Sequence, residues 1–334
     1  MWPYETVVWG TGAAMKAAVT GAAGFIGSTL TDRLLADGYE VVAVDNFDDY
    51  YSGKMRFLEP HLGDPKFTLH ETNINDREAL VRCFDGCDVV FHMAAQAGVR
   101  VSVKDPMRSH EANATGTLNV LLAAKEVGIT RVVSSSSSSV YGNAKSLPVT
   151  ELDMAVPVSP YAASKLGAEF YSRLFHELYG METISLRYFT VYGPRQRPDM
   201  AIRIFTDRAL KGLPPLIYGD GTQTRDFTYV DDVVEAVLRC ATCADPNGEP
   251  LNICSGRTVE LNDVVHEILR VVGREDLQPQ HLPAQAGDVD RTWGDNRKAK
   301  ALLGWEPTVS IEEGIARFVE WYRGKKELHD ELQW

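Results

Sequence analysis

The chain has 334 residues, of which 44% are hydrophobic and 24% charged, and its formal net charge is −12. This composition is that of a globular protein long enough for one large domain or two of ordinary size. The acidic charge argues against binding to nucleic acid or to an anionic membrane surface. No apolar run approaches the ~20 residues that cross a bilayer.

Two features at the chain level bear on location. Residues 1–14 lack the basic start, apolar core and cleavage pattern of a secretory signal, and we interpret them as an irregular lead or an extension outside the fold. The five cysteines are an odd number without the spacing of a zinc site, which favours buried, reduced thiols. We therefore expect a cytoplasmic protein without a metal centre.

From Met15 onward, short apolar strands alternate with helices. Strands are predicted over residues 16–20, 39–45, 66–71, 88–95, 131–136 and 182–189. Helices are predicted over residues 25–38, 75–84 with Asn75 as the N-cap, 110–128 and 161–179. Strands that are apolar throughout indicate a parallel sheet covered on both faces. The pattern predicts a Rossmann-type doubly wound α/β domain over residues 15–190.

After residue 190 the pattern loosens, with prolines and four further predicted helices, over residues 202–212, 231–242, 261–273 and 311–324. We interpret residues 191–334 as a smaller mixed α/β domain that binds the substrate. These boundaries are approximate and the segments can interleave. No linker separates the two parts, so a ligand is expected in the cleft between them.

A glycine-rich turn follows the first predicted strand. Gly21 allows a tight turn, Gly24 lets the backbone approach a pyrophosphate, and Gly27 allows close packing of helix and strand. The helix N-terminus adds free N–H groups. Asp45 closes the second strand, where a carboxylate binds a ribose and repels a 2′-phosphate. The pattern predicts an NAD site, and a glycine-rich turn without a ligand is the alternative.

A tyrosine and a lysine, Tyr161 and Lys165, stand four residues apart in the helix after the fifth strand. Residues at this spacing share one face of a helix. Free tyrosine has a pKa near 10, which a neighbouring ammonium lowers because it favours the phenolate. The pair therefore suits a catalytic base, although the spacing alone also describes an ordinary surface pair.

Six motifs in this order carry a resemblance to a known family: TGAAGFIG, HMAAQAGVR, SSSSVYG, YAASK, LRYFTVYGP and TRDFTYVDD. The chain resembles the extended short-chain dehydrogenase/reductases that act on nucleotide sugars, from about residue 15 to its end. Within that family AAQAGVR and GPRQRPDMA are most similar to the UDP-glucuronate 4-epimerases.

The resemblance implies roles for particular residues. Tyr161 is implied as the base at the C4 hydroxyl, Lys165 as the residue that binds the nicotinamide ribose and lowers the tyrosine pKa, and Ser137 as the third catalytic hydroxyl. The implied NAD contacts are Gly21, Gly24, Phe25, Ile26, Gly27, Asp45, Asn46, Asn73, Ile74, Ala94, Ala95, Gln96, Asn113, Tyr161, Lys165 and Tyr188. The implied contacts to a UDP-sugar are Arg100, Ser137, Ser138, Ser139, Thr190, Arg197, Arg225, Asp288 and Arg291. Asn73 departs from the family, which commonly has Asp there.

The neighbouring side chains bear on the reaction. Related dehydratases place an Asp-Glu pair before VYG and related decarboxylases a Glu, whereas this chain has Ser138 and Ser139. Serine cannot act as a carboxylic acid, so the resemblance favours epimerisation at C4 of UDP-glucuronate. Ser138, Ser139 and Thr190 are candidates for holding the sugar carboxylate, with Arg197 closing over it. Thr190 also suits a strand end for its β-branched shape alone.

Three alternatives stay open: a UDP-glucose 4-epimerase, a UDP-glucuronate decarboxylase and an NAD-sensing regulator. The last is disfavoured because such proteins tend to lose the tyrosine or the lysine. The resemblance also implies a homodimer formed through helices near residues 106–127 and 161–179.

Overall fold

The computed structural model describes residues 15–283 and 289–332. Its strands are, in chain order, β1 (Lys16–Thr20), β2 (Glu40–Asp45), β3 (Phe67–Glu71), β4 (Val89–His92), β5 (Arg131–Ser137), β6 (Glu182–Tyr188), β7 (Thr190–Tyr192), β8 (Leu216–Tyr218), β9 (Thr224–Arg225), β10 (Phe227–Tyr229), β11 (Pro250–Ile253), β12 (Val259–Glu260) and β13 (Gln280–Leu282). Its α-helices are α1 (Phe25–Ala36), α2 (Arg77–Phe84), α3 (Val99–Lys104), α4 (Pro106–His110), α5 (Gly116–Glu126), α6 (Pro160–Tyr179), α7 (Ala201–Leu210), α8 (Val230–Thr242), α9 (Leu261–Val272), α10 (Arg297–Leu303), α11 (Ile311–Gly324) and α12 (Lys326–Glu331).

Seven parallel strands form the main sheet in the order β11-β6-β5-β4-β1-β2-β3. Alternate residues of each strand enter two separate cores: Val19 and Phe91 pack on the side of α1 and α8, and Ala18 and Val90 on the side of α2 and α5. A strand buried on both faces is apolar throughout, which is the sequence pattern that predicted it. The predicted Rossmann-type fold is confirmed.

The chain crosses between the two predicted domain ranges. Strand β11 follows residue 190 by sixty positions in the sequence, yet it pairs with β6 in the main sheet, and α8 packs against α1. Strands β7 to β10, β12 and β13 form three small two-stranded sheets beside the main one. The described parts of these two ranges are therefore interleaved in space, and the second range contributes one edge of the Rossmann sheet.

Some predicted element boundaries were wrong. Helix α2 begins at Arg77, and its N-cap is Asp76, whose carboxylate accepts from the Ala79 N–H, in place of the predicted Asn75. The predicted helix 110–128 is helical as far as Glu126, with a π-helical segment, Glu111–Thr115, that runs directly into α5. Helices α3 and α4 were not predicted, because polar residues and Pro106 interrupt their apolar pattern.

Two chain-level expectations can be compared with the described residues. None of the helices there combines the length and the apolar character needed to span a bilayer. The five cysteines are all free and buried. The predicted lead, residues 1–14, lies outside the described residues.

Candidate active site

A cavity of about 380 Å³ opens at the carboxyl ends of the central strands, where open α/β sheets bind their ligands. Most of the predicted site residues line it. They are Gly21, Gly24, Phe25, Ile26, Gly27, Asp45, Asn46, Asn73, Ile74, Ala94, Ala95, Gln96, Ser137, Tyr161, Lys165, Tyr188 and Arg197. The fold thus brings the predicted cofactor residues and the predicted catalytic residues to one cavity.

The glycine turn between β1 and α1 has no room for side chains. Gly21 has a φ of +67°, and a Cβ there would lie 2.6 Å from the Ala94 backbone. A Cβ on Gly27 would lie 2.0 Å from the Gly21 carbonyl oxygen. Helix α1 begins at Phe25 without a side-chain cap and without an acid in its first turn. Its N–H groups therefore face the cavity and suit a pyrophosphate.

The carboxylate of Asp45 is fixed at the end of β2. It accepts hydrogen bonds from the Ala23 N–H at 2.9 Å and the Phe47 N–H at 2.8 Å. Burial raises the pKa of Asp45, and the charge of nearby Lys54 lowers it. The carboxylate thus lines the cavity in a fixed orientation, as a ribose ligand requires.

Ser137, Tyr161 and Lys165 meet at the other end of the cavity, from β5 and α6. Helix α6 begins at Pro160 with Ser159 as its N-cap, which places Tyr161 and Lys165 in its first two turns. The Lys165 ammonium donates to the Ser135 carbonyl at 2.8 Å. The serine, tyrosine and lysine therefore share the cavity, and the lysine is anchored to the backbone of the serine strand.

Burial has the largest effect on the pKa values of Tyr161 and Lys165. It raises the pKa of Tyr161, while a hydrogen bond from Ser137 and then the charge of Arg197 lower it. Burial lowers the pKa of Lys165 to about 8, against an upward contribution from Glu169. The positive charge of Arg197 therefore favours the Tyr161 phenolate, and the role of Lys165 in lowering the tyrosine pKa stays a prediction.

The serine run divides into a strand and a turn. Ser134 and Ser136 are buried in β5, and residues Ser138–Tyr141 form a 3₁₀ turn. The Ser139 hydroxyl donates to the Ser137 hydroxyl at 2.7 Å. Ser139 therefore supports the predicted catalytic serine in this geometry, and neither Ser138 nor Ser139 is among the residues that line the cavity.

Arg197 is already paired. Its guanidinium donates two hydrogen bonds to Asp199, at 2.9 and 2.8 Å, and the Tyr50 hydroxyl donates to the same carboxylate at 3.0 Å. The pair raises the pKa of Arg197 against burial and lowers that of Asp199. Tyr50 follows β2 and Asp199 precedes α7, so this cluster joins the two sides of the cleft.

The other predicted residues that the structure describes lie outside the cavity lining. Asn113 holds the Gln96 backbone, accepting from its N–H at 2.9 Å and donating to its carbonyl at 3.1 Å. Arg100 lies 5.4 Å from the Tyr218 ring centroid. Thr190 is partly buried at the start of β7, and Arg225 and Arg291 adjoin each other through the Thr224–Arg291 bridge. Asp288 lies outside the described residues.

Several cavity residues were missed from sequence. They lie in the segment after β2, near the π-helical segment and before α7: Asp48, Tyr50, Tyr51, Lys54, Arg108, Glu111 and Met200. Arg108 pairs with Asp48 at 2.6 Å, and burial lowers the pKa of Lys54. The aromatic pair and the lysine soon after Asp45 were the available signal, but an irregular segment has no periodicity to indicate which residues face inward. The described residues contain no cluster suited to a metal ion.

A parallel Rossmann sheet, a glycine turn and a Ser-Tyr-Lys group at one cavity define the extended short-chain dehydrogenase/reductases, as predicted. The chain matches the family described as GDP-mannose 4,6 dehydratase over residues 18–318, and it belongs to that family.

Curated relatives include two epimerases of different substrates. The UDP-glucuronate 4-epimerase of Thermodesulfobacterium geofontis is 39% identical over 315 residues, covering 93% of this chain and 97% of that protein. The UDP-glucose 4-epimerase of Mycolicibacterium smegmatis is 40% identical over 320 residues, covering 94% and 100%. Overall identity therefore does not separate these two activities.

One similar solved structure is a complex. It is the UDP-glucuronic acid 4-epimerase of Bacillus cereus with UDP-glucuronic acid and NAD, which is 35% identical. The match covers 93% of this chain and 99% of that one, with a TM-score of 0.87. Over 93% of its length, the chain therefore shares the fold of an epimerase crystallised with NAD.

Proposed function

We propose that this protein is an NAD-dependent nucleotide-sugar 4-epimerase that interconverts UDP-glucuronate and UDP-galacturonate. The observation that carries the proposal is the cavity itself, which has a glycine turn at one end and Ser137, Tyr161 and Lys165 at the other. The serines at 138 and 139, where a lyase of this family has acids, support an isomerase over a lyase.

The residues present fit a dinucleotide. The side-chain-free turn at Gly21, Gly24 and Gly27 and the uncapped start of α1 suit a pyrophosphate, and Asp45 suits a ribose. Bound NAD would supply the hydride acceptor for oxidation at C4 of the sugar and the hydride donor for its re-reduction. Lys165 is the proposed ligand of the second ribose, since its side chain lines the same cavity.

The chain's own residues handle the proton. Tyr161 is the proposed base at the C4 hydroxyl, and Ser137 hydrogen-bonds it and stabilises its charged form. Oxidation at C4 removes a hydride and, through Tyr161, the hydroxyl proton, which leaves a ketone. When hydride is returned to the opposite face of C4, the resulting alkoxide takes its proton back from the Tyr161 hydroxyl. Neither Ser138 nor Ser139 can supply the acid that elimination of water requires, so the sugar retains all its substituents.

A glucuronate poses a further demand, because its 4-ketone is a β-keto acid that loses CO₂ readily. Loss is fastest when the C5–carboxylate bond stands perpendicular to the ketone plane. Fixed donors restrain the carboxylate, and Ser138, Ser139, Thr190 and Arg197 are the proposed ones. We propose that Arg225, Arg291, Asp288 and Arg100 bind the UDP moiety.

One observation favours a second candidate, the UDP-glucose 4-epimerase. Arg197 donates two hydrogen bonds to Asp199, so that carboxylate neutralises part of its charge. A neutral C6 hydroxymethyl group has no need of that charge. The two candidates share the glycine turn and the group of Ser137, Tyr161 and Lys165, and they differ in the C6 group that Ser138, Ser139 and Thr190 would face.

The test of the proposal is to incubate the purified protein separately with UDP-glucuronate and with UDP-glucose and to identify the products by NMR. We expect UDP-galacturonate from the first and no UDP-galactose from the second. UDP-galactose formed alone would establish the second candidate. UDP-xylose as the main product would contradict both, because it requires loss of the carboxylate.

Tyr161→Phe removes the proposed base and keeps the ring. We expect turnover to fall by a factor of at least about 10³, within the range that proton transfer contributes, while bound NAD measured after denaturation is unchanged. The matched control is Tyr171→Phe, on the same helix and outside the cavity lining, which keeps wild-type turnover. Wild-type activity in Tyr161→Phe would show that another group is the base.

A further inference from the structure

A buried ion pair between Glu169 and Arg187 joins the catalytic helix α6 to strand β6. Glu169 and Arg187 are each 6% exposed, and the guanidinium donates to the carboxylate twice, at 3.0 and 2.7 Å. The Ser136 hydroxyl donates to the same carboxylate. Burying two charges is costly, so a pair that adds stability alone could be replaced by apolar side chains. The place of this ion pair in the fold therefore says more about its role than a contribution to stability does.

The pair is fastened to the same strand as the catalytic lysine. Glu169 stands one helical turn after Lys165 on α6. Lys165 donates to the carbonyl of Ser135 and Glu169 accepts from the side chain of Ser136, so neighbouring residues of β5 hold both. The next residue of that strand is Ser137. A shift of Glu169 would thus move the lysine's acceptor and the catalytic serine together.

The other side of the pair is fixed by a second strand and a turn. Arg187 donates to the Tyr141 hydroxyl at 2.9 Å, and Tyr141 donates to the Asn252 side-chain oxygen at 2.7 Å. Burial raises the pKa of Tyr141 to about 12, which keeps it protonated as this donor. Asn252 in turn donates to the Val149 carbonyl at 3.1 Å. The guanidinium is therefore held, and it holds Glu169.

We propose that Glu169, fixed by Arg187, is a positioning residue that keeps the Lys165 ammonium charged and anchored to β5. The proposal rests on the proposed function in taking Lys165 as a catalytic residue. Burial lowers the pKa of Lys165 to about 8, and the negative charge of Glu169 opposes that shift.

The other groups around the lysine leave this role to Glu169. His92 of β4 is fully buried between two threonine hydroxyls and is neutral, since its pKa falls to about 3. Tyr161 and Tyr188 line the cavity beside it with raised pKa values and are uncharged at neutral pH. Glu111 of the π-helical segment lines the same cavity and is exposed. Arg187 is the cation of the Glu169–Arg187 pair itself.

The experiment measures the lysine directly. The NAD-loaded protein is labelled with ¹³C at lysine Cε, the Lys165 signal is assigned with Lys165→Met, and its midpoint is followed by NMR as pH rises. Glu169→Gln is expected to lower the midpoint by about one pH unit, the shift that loss of a neighbouring opposite charge produces. Because Glu169→Gln leaves Arg187 buried and unpaired, Glu169→Gln/Arg187→Gln is measured beside it and is expected to shift the midpoint in the same direction.

The control is Glu177→Gln, an exposed acid on the same helix that pairs with Arg173 at 2.7 Å, and it leaves the midpoint unchanged. A wild-type midpoint in either folded Glu169 variant would overturn the proposal and leave the pair a purely structural one. The alkaline limb of the kcat profile is expected to move with the midpoint. If wild-type protein turns over no UDP-sugar, the proposed function fails, while the lysine titration still decides this inference.

Discussion

At the scale of single residues, Asp226 is the most connected carboxylate beside the proposed nucleotide site. It is fully buried and follows Arg225. It accepts hydrogen bonds from the Ser255 N–H and hydroxyl, both at 2.7 Å, and from the N–H groups of Gly256 and Gly294 at 3.1 and 3.2 Å. Burial raises its pKa to about 6, although the hydrogen bonds favour the charged form. The ionised side chain therefore joins the Arg225 strand to two loops at neutral pH.

Asp226→Asn is expected to destabilise the protein and to weaken UDP binding, because an amide nitrogen cannot accept from the N–H groups that the carboxylate oxygen holds. We expect a loss of about 2 kcal/mol in the free energy of unfolding at pH 7, measured with urea, and weaker UDP binding by calorimetry. Asp220→Asn is the control, since Asp220 is an exposed acid whose carboxylate accepts from the nearby Thr222 N–H and hydroxyl. Unchanged UDP affinity in Asp226→Asn would show that the loops hold their positions without it.

The pH dependence of Asp226 has a definite sign. Its pKa in the folded protein, about 6, lies above its ordinary value of 3.8, so the folded chain binds more protons than the unfolded chain between these values. The proton-linked part of the stability that this group contributes, which is separate from its hydrogen bonds, is complete below about pH 4 and is lost as pH rises through 6. Asp226→Asn removes that slope, and unfolding curves collected between pH 4 and pH 7 measure it.

At the scale of elements, the strands of the Rossmann sheet were predictable because burial on both faces leaves an apolar run, as in β2 and β4. The glycine turn was predictable because backbone geometry admits no other residue there. Helices α3 and α4 were not, since their six and five residues span too few turns to show a period. The Arg197–Asp199 pair was missed for a related reason: only the fold of an irregular loop decides whether residues two apart face each other.

Gly27→Ala tests the glycine turn as an element. The added Cβ would lie 2.0 Å from the Gly21 carbonyl oxygen and 2.8 Å from its carbon, so the turn must move away from α1. We expect purified protein with less than about a tenth of the wild-type NAD content, since every 1.4 kcal/mol of lost binding is a tenfold change. Nucleotide released by denaturation is quantified by chromatography. Gly324→Ala, where a Cβ meets nothing within 4 Å, is the control and retains wild-type NAD.

At the scale of the whole molecule, helix α6 has one buried face and one exposed apolar face. One carries Lys165 and Glu169 into the core, and the other exposes Phe170, Leu174 and Leu178, which are 56%, 43% and 67% accessible. Four-residue spacing stacks these three side chains in one apolar row. Arg173 and Glu177 flank the row with opposite charges. Two copies related by a two-fold axis would therefore bury the row with Arg173 of one copy opposite Glu177 of the other.

We therefore expect a homodimer in solution, which light scattering on a size-exclusion column measures as the mass of two chains. Phe170→Glu is expected to give the mass of one chain, because the interface would bury an unpaired charge. Leu62→Glu, at an equally exposed leucine in the loop before β3, is the control and remains dimeric. A dimer that persists in Phe170→Glu would place the interface on another face. If the wild-type protein is a monomer, the apolar row of α6 is not a dimer interface. The face of α6 that carries Lys165 and Glu169 would then act within a single chain.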